Sequence, residues 1–348
     1  MKHPSTAQDC AAQPGCAPVV RVTARDLAQR IGVATSTVTR AFDAQSRISA
    51  GLRARILAMA DELGYRPNAI ARSLNLRKTG IVAVVVGDMA NPFYPALLEE
   101  FSRQLRQTGR QLLLFVVPPG SDADDLMPQL LQYQVDAIAV TAAKLSSHMA
   151  RLCARQGVAV VFINRRVQDE TVWSVCCDNE RMAAEVADYL LGQRRQACAF
   201  VSGDSSISTT ADRLRGFERG LAAQGQRLVA CVEGGYTYEG GREAAAQLFG
   251  AGKAGIDAVF CANDVMALGV LGYLRMNTSL RVPEDVAVVG FDDIRAAAWP
   301  ENGLTTVHQP LSQMIACAIG LLSEGRPATG LAPALHEVPG RLIIRSTA

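Results

Sequence analysis

Aromatic residues make up only 5% of this 348-residue chain. Few rings are left to stack on bases, so single-stranded nucleic acid is a poor candidate target. Histidine is scarcer still, with four in the chain, which offers little general-base capacity. There is no P-loop, no GxSxG and no HExxH, no GxGxxG after the first predicted strand, and no Cys/His nucleophile arrangement. The chain is therefore not expected to be an enzyme, and no cofactor is implied. No run of about 18 uncharged apolar residues occurs, so no membrane span is expected. Lys2 is followed by polar, Pro- and Cys-containing sequence instead of an apolar stretch, which does not read as a secretory signal. The nine cysteines are scattered, with Cys176-Cys177 adjacent and no CxxC. Reduced thiols in a cytoplasmic protein are the expected state. His3, Cys10 and Cys16 lie in a segment too irregular for a zinc site, so no metal is expected.

What is present begins with charge. Residues 1–78 hold 12 Lys+Arg and 5 Asp+Glu, a net of +7. The remaining 270 residues hold 23 and 28, a net of −5. A basic end on an acidic body is the charge footprint of a nucleic-acid binder. Within the basic end, VTARDLAQRIGVATSTVTR (22–40) carries Leu27, Ala28 and Ile31 at helical spacing, a break at Gly32-Val33, and a second helical pattern from Thr35 with Val38 and Phe42 on one face. Two short helices joined by a Gly-containing turn read as a helix-turn-helix, although an ordinary pair of core helices has the same periodicity. Such a unit lays its second helix in the major groove of duplex DNA. The exposed face of that helix should carry Thr35, Ser36, Thr39 and Arg40, hydroxyls and a guanidinium suited to phosphates and base edges. Thr23 suits the N-cap of the first helix. A third helix is predicted over Ala50–Leu63, capped by Ser49, ended by Gly64, with Leu52, Ile56, Met59, Ala60 and Leu63 on its apolar face.

Residues 1 to about 20 are rich in Ala, Gln and Pro without periodicity and read as a disordered tail. After Tyr65-Arg66-Pro67-Asn68, AIARSLNLRKTG allows a helix of one or two turns, too short to be stable alone. From Gly80 the pattern alternates between strand and helix. Strands are predicted at Ile81–Val86, Leu112–Val117, Ala137–Thr141, Val158–Ile163, Ala199–Ser202, Ala258–Cys261 and Val286–Gly290. Helical segments lie around 95–108, 179–191, 212–223, 239–248 and 265–276. Continuous apolar strands alternating with helices specify a parallel α/β sheet, or two such sheets.

In open α/β sheets ligands bind beyond the carboxyl ends of the strands. The residues just past the predicted strands are Asp88, Asn91 and Phe93, then Asn164 and Arg165, Asn263 and Asp264, Asp292 and Asp293, with Arg213 nearby. Asp, Asn and Arg in this company suit vicinal hydroxyls, and Phe93 and Tyr236 could stack on a sugar or planar ring. Each has a plainer reading. Asp264 suits a helix N-cap, Asp293 a turn, Asp88 and Asn91 the turn of NPFY, Tyr236 a cover for the cleft mouth, and Trp299 and His308 packing or a crossover.

The motifs VTARDLAQRIGV, STVTRAF, ISAGLRARILAMADELGYRPNAIARSL, NPFY, RLRGF, CANDVMALG, VPEDVAVVGFDDI and LTTVHQP, in this order, resemble the lactose-repressor/galactose-repressor family of bacterial transcriptional regulators from Val22 to about Arg345. The resemblance implies an all-α helix-turn-helix DNA-binding domain (21–66) after the tail (1–20), then a hinge (67–79). It implies a two-lobe, periplasmic-binding-protein-like α/β body with parallel sheets. One lobe would take 80–177 and 308–335, the other 178–307 and 336–348. It also implies that Thr35 and Ser36 read bases, that Arg40 makes a further DNA contact, and that a hinge Leu, here Leu74 beside Ala71, wedges into the minor groove. Leu74 also fits a linker residue tucked on the body. Arg213, Asn263 and Asp292 match effector contacts, Tyr236 an aromatic contact, and Asn164 a position that is often Asp. Two departures stand out: Ala34 takes the place of a capping Ser, which would shift the cap to Thr35, and Thr39 that of another Ser.

The expectation is a cytoplasmic, nucleoid-associated homodimer on double-stranded operator DNA, a repressor by resemblance alone, controlled by a sugar or sugar acid. A solute-binding protein of a transporter would share the body fold but not the basic arm. A family regulator that answers to a nucleobase or a phosphoprotein is the other alternative. Arg165 and Arg213 leave room for an acidic group on the ligand.

Overall fold

A computed structural model describes residues 22–43, 46–67, 78–118, 120–141, 144–250, 255–325 and 334–348. The expected tail and the hinge positions Ala71 and Leu74 lie outside them. The chain divides into two compact units, one up to Arg77 and one from Lys78 onward.

The first unit is a three-helix cluster. Helix α1 (Ala24–Ile31) opens on a capping box in which the Thr23 hydroxyl accepts from the Asp26 amide and the Asp26 carboxylate accepts from the Thr23 amide. It ends at Gly32, whose φ of 77° is left-handed. Helix α2 (Thr35–Ala41) starts where the pattern restarts, with Ala34 as an N-cap that offers no side-chain bond. The cap does not move to Thr35; the helix simply begins uncapped. Helix α3 (Ala50–Glu62) is capped by Ser49. Leu27, Ala28, Val38, Ala41, Ile56, Ala60 and Tyr65 fill the space between the three, and Phe42 meets Tyr65 edge to face at 5.7 Å.

The second unit holds two six-stranded sheets. Strands β1 (Ile81–Val86), β2 (Gln111–Val116), β3 (Ala137–Thr141), β4 (Ala159–Ile163), β5 (Trp173–Cys177) and β11 (Ala334–Val338) form the first, in the order β11-β5-β4-β3-β1-β2, all parallel. Strands β6 (Cys198–Ser202), β7 (Ala230–Glu233), β8 (Ala258–Cys261), β9 (Ala287–Asp292), β10 (Thr305–His308) and β12 (Arg341–Ile343) form the second, in the order β12-β10-β9-β8-β6-β7, with only β12 antiparallel. The helices are α4 (Phe93–Gln107), α5 (Met127–Gln132), α6 (Ser147–Arg155), α7 (Asn179–Gly192), α8 (Ser208–Ala223), α9 (Tyr238–Phe249), α10 (Asp264–Asn277) and α11 (Leu311–Glu324). Every residue of β3, β4, β6, β8 and β9 is buried, the outcome expected of strands covered by helices on both faces.

The chain leaves the first sheet after Cys177, returns to it after His308, and leaves it again after Val338. The last crossing falls beyond the expected residue 335. Leu335 to Val338 continue the parallel register against β5, and Pro339-Gly340 is the first place that can break it.

Candidate functional site

In the first unit, Thr35, Ser36, Thr39 and Arg40 are all exposed along α2, while Val38 and Ala41 face its core. The Thr39 hydroxyl donates to the Thr35 carbonyl at 3.1 Å, and Arg40 Nε to the Ser36 carbonyl at 3.4 Å. One face of a short, externally braced helix thus presents three hydroxyls and a guanidinium, a set that can enter a major groove.

In the second unit a cleft of about 250 Å³ opens at the carboxyl ends of the strands. Asp88, Asn91, Phe93 and Tyr94 follow β1; Asn164 and Arg165 follow β4; Asp204, Ile207, Thr209 and Arg213 follow β6; Gly235 and Tyr236 follow β7; and Asp292 ends β9. Five of the six expected effector residues meet here: Phe93, Asn164, Arg213, Tyr236 and Asp292. Asn263 does not. It is 1% exposed and its Oδ1 accepts from the Met266 amide, so Asn263, not Asp264, is the N-cap of α10. Two adjacent Asx residues before an apolar run do not reveal which one caps. Asp264 turns inward, accepting from the Ile294 amide and the Thr306 hydroxyl. Burial, and then the neighbouring Asp292, push its carboxyl well above the usual range.

Arg213 and Asp292 are the electrostatic centre of the cleft. The Arg213 guanidinium is 2% exposed and lies 3.6 Å from the centroid of the Phe291 ring. Its Nε donates to Asn179 Oδ1 at 2.8 Å and its Nη1 to the Ala262 carbonyl. Nη2 stands 3.7 Å from Asp292 Oδ1 and has no hydrogen-bond partner among the described residues. Asp292 Oδ1 accepts from Gln309 Nε2 at 2.7 Å. Burial pushes the Asp292 carboxyl up to about 6, against the pull of Arg213 and Gln309. Asn164, at φ 59°, also buries an Oδ1 without a partner among the described residues. A buried donor and a buried acceptor left open at one cleft cost free energy that a polar ligand would recover.

The Tyr236 hydroxyl shares a 2.6 Å hydrogen bond with Thr210 Oγ1, and its ring lies so close to Gly203 that a Cβ there would fall 2.0 Å from a ring carbon. Asp88 and Asn91 do shape the NPFY turn, accepting from the Ala90 and Phe93 amides, while also lining the cleft. Sequence reasoning passes over Tyr94, Thr209, Thr210, Gln309 and Asn179. Tyr94 is signalled only by its place next to Phe93. Thr209 and Thr210 fall in an expected loop because α8 starts at Ser208 and not near Asp212. Asp293 accepts from His308 and Arg345, which makes His308 part of a crossover brace. Cys176 and Cys177 are buried free thiols, which burial pushes up to about 12.

A helix-turn-helix with an open polar face, followed by a two-lobed α/β body with a polar ligand cleft, defines a DNA-binding regulator with an effector domain. The comparisons name the family. Residues 23–68 match the model of bacterial regulatory proteins of the lacI family, and residues 79–321 match that of periplasmic binding proteins and the sugar-binding domain of the LacI family. The chain belongs to the LacI family and is a DNA-binding transcriptional regulator. It is 29% identical to catabolite control protein A of Priestia megaterium over 94% of this chain and 99% of that one. A structure of the transcriptional regulator CelR in complex with cellobiose is 27% identical, with a TM-score of 0.68, covering 94% of this chain and all of that one. The lac repressor dimer bound to operator and the anti-inducer ONPF shares the fold, with a TM-score of 0.82 at 23% identity, over 94% of this chain and 99% of that one.

Proposed function

We propose that the chain acts as a homodimeric repressor whose affinity for a near-palindromic duplex operator is set by a sugar or sugar acid held between the two lobes. The observation that carries this reading is the pair of open buried groups, Arg213 Nη2 and Asn164 Oδ1, beside the Asp292 carboxylate in one cleft. A donor and acceptors around an aromatic-edged space match a ring bearing vicinal hydroxyls. The cellobiose held by the related CelR supports the sugar class. In this reading Phe93 and Tyr236 flank the ring, Asn164, Arg213 and Asp292 take its hydroxyls, and Asn263 braces the floor. Thr35, Ser36, Thr39 and Arg40 read the operator, and Ala71 with Leu74 form the hinge and its wedge. The protein works in the cytoplasm.

The test pairs a thermal-shift panel of sugars, sugar acids and purines with operator-binding assays. A true effector at a hundredfold excess over its Kd stabilises by about 2.7 kcal/mol and changes operator affinity. Stabilisation by a purine instead of any sugar would move the reading to nucleobase control, and ligand binding with no duplex affinity would favour a solute carrier.

A further inference from the structure

A second cavity, of about 270 Å³, abuts the effector cleft and shares Arg165 and Ile207 with it. Its polar walls are Lys144, Arg165 and Arg166 from the first lobe and Ser205, Ser206 and Ser208 from the second. No carboxylate lines it among the described residues. Arg166 is held at 2.7 Å by Asp212, which also pairs with Arg215. Lys144 and Arg165 form no close ion pair among the described residues, although both act at longer range on the Asp204 carboxylate. That carboxylate, on the cleft side, is held down by hydrogen bonds from Ser206 and then by Lys144 and Arg165. The three cations at the cavity thus face two carboxylates, Asp204 and Asp212, and the remaining positive charge favours an anion.

Two further features converge on the same space. Helix α8 begins beside it with Ile207 as N-cap and no side-chain cap; of its first-turn residues Ser208 lines the cavity, and the Ser208 amide finds no acceptor among the described residues. Such an amide and the helix dipole attract anions. The Ser208 hydroxyl accepts from the Arg166 amide at 2.8 Å, which ties the two lobes and leaves its own proton to donate. Asn164, 8% exposed with its open Oδ1, lines the cleft immediately before Arg165, which lines both spaces. One turn therefore supplies the group that meets a hydroxyl and the group that meets an anion.

We propose that the effector is a phosphorylated sugar, with its hydroxylated ring in the cleft and its phosphate in the adjoining cavity. This rests on the sugar reading of the cleft and narrows it. A phosphate monoester suits the positive excess and offers three acceptor oxygens to Lys144, Arg165 and the serine hydroxyls, where a carboxylate offers two. The phosphate also bridges cations of one lobe to hydroxyls and a helix amide of the other. It thus has the unequal affinity for open and closed lobes that a switch requires.

The experiment is calorimetric titration of the full-length protein with inorganic phosphate, acetate, and glucose, galactose and mannose, each as free hexose, hexonic acid and 6-phosphate. Phosphate alone should bind wild-type protein, and the Lys144→Met/Arg165→Gln variant should bind it about 10- to 100-fold more weakly, with Arg165→Lys retaining most of the affinity. A hexose phosphate should exceed its free hexose by a similar factor, and the double variant should erase that preference. Phosphate binding that is absent, matched by acetate, or unchanged in the double variant overturns the proposal. A neutral hexose that binds while phosphate does not defeats this inference alone. Phosphate held by Lys144 and Arg165 while every sugar derivative fails defeats the sugar reading of the cleft, and the phosphorylated-sugar proposal with it.

Discussion

At the scale of single residues, Asp292 is the most informative position in the body. Its ordinary carboxyl value is 3.8 and burial lifts it to about 6. Between those values the folded protein keeps a proton that the unfolded chain has released. Stability contributed by this group therefore falls as pH rises from about 4 to about 6, and the burial penalty is fully present above that. Effector binding should run the other way. A protonated Asp292 offers one acceptor fewer to ligand hydroxyls and loses its charge-assisted bond, so affinity should drop as pH falls through about 6. The two opposite signs are measurable by denaturation and by titration with a free hexose, which does not itself ionise over this pH range, and Asp292→Asn should flatten both. A ligand affinity that stays level from pH 7 to pH 5 in the wild type would remove Asp292 from direct contact. Gly203 gives a second residue-level test. Because a Cβ there overlaps the Tyr236 ring, Gly203→Ala should displace the ring, break its bond to Thr210, and weaken effector binding by about 1 kcal/mol, the net worth of such a bond, with operator binding intact.

At the scale of elements, α2 stands out because it starts without a side-chain cap. Ala34 has the extended backbone that an N-cap needs, φ −70° and ψ 147°, but no oxygen to offer. Ala34→Ser should raise the hydrogen-exchange protection of the first-turn amides by an amount equivalent to about 1 kcal/mol. In the body, α7 and α8 meet so closely at Gly216 that a Cβ there would fall 2.0 Å from the Glu180 carbonyl oxygen. Gly216→Ala must push the backbones of α7 and α8 apart, so it should destabilise by about 1–3 kcal/mol in denaturant unfolding and shift α8, which carries Arg213. Such contacts explain what the sequence does and does not disclose. Strands β1, β3 and β8 are legible to the residue because IVAVVV, AIAVT and AVFC are continuous apolar runs between breakers. Strand β10 is not, since Thr305 and Thr306 look polar yet are fully buried, Thr306 against Asp264 and Thr305 against Thr347. Helix α11 is hidden for the opposite reason. Its centre, IACAIGLL, is apolar on nearly every side and shows no helical period. The cleft residues are legible where they stand at or just past the end of an apolar strand, as Asp292 and Asn164 do. The residues that hold them are not legible, because only the fold brings Gln309 to Asp292 and Asn179 to Arg213.

At the scale of the whole molecule, the basic first 78 residues and the acidic remainder divide the work between DNA and ligand. Operator affinity should fall steeply with salt, because Arg and Lys contacts to phosphates release counterions. Leu74→Ala, if the hinge residue is a wedge, should weaken binding to operator more than to random duplex, since only a bent site uses it. The coupling between the halves is a free energy, and it can be broken without harming either half. Arg213 is embedded in the body by Asn179, the Ala262 carbonyl and the Phe291 ring, and Asp292 by Gln309. Both belong to the second compact unit, whereas the face of α2 proposed to read the operator belongs to the first. Asp292→Asn keeps the shape of the side chain and removes its charge. It should lower effector affinity by about 1–3 kcal/mol and leave effector-free operator binding near wild type. Arg213→Ala empties a packed site, so its loss of effector response should come with measurable destabilisation of the body. Operator affinity measured with and without ligand for each variant separates the outcomes. If the effector releases DNA, these variants repress permanently; if it is a corepressor, they bind only as weakly as the free form. An unchanged effector response in both variants would mean that the ligand that controls DNA binding does not sit between Arg213 and Asp292.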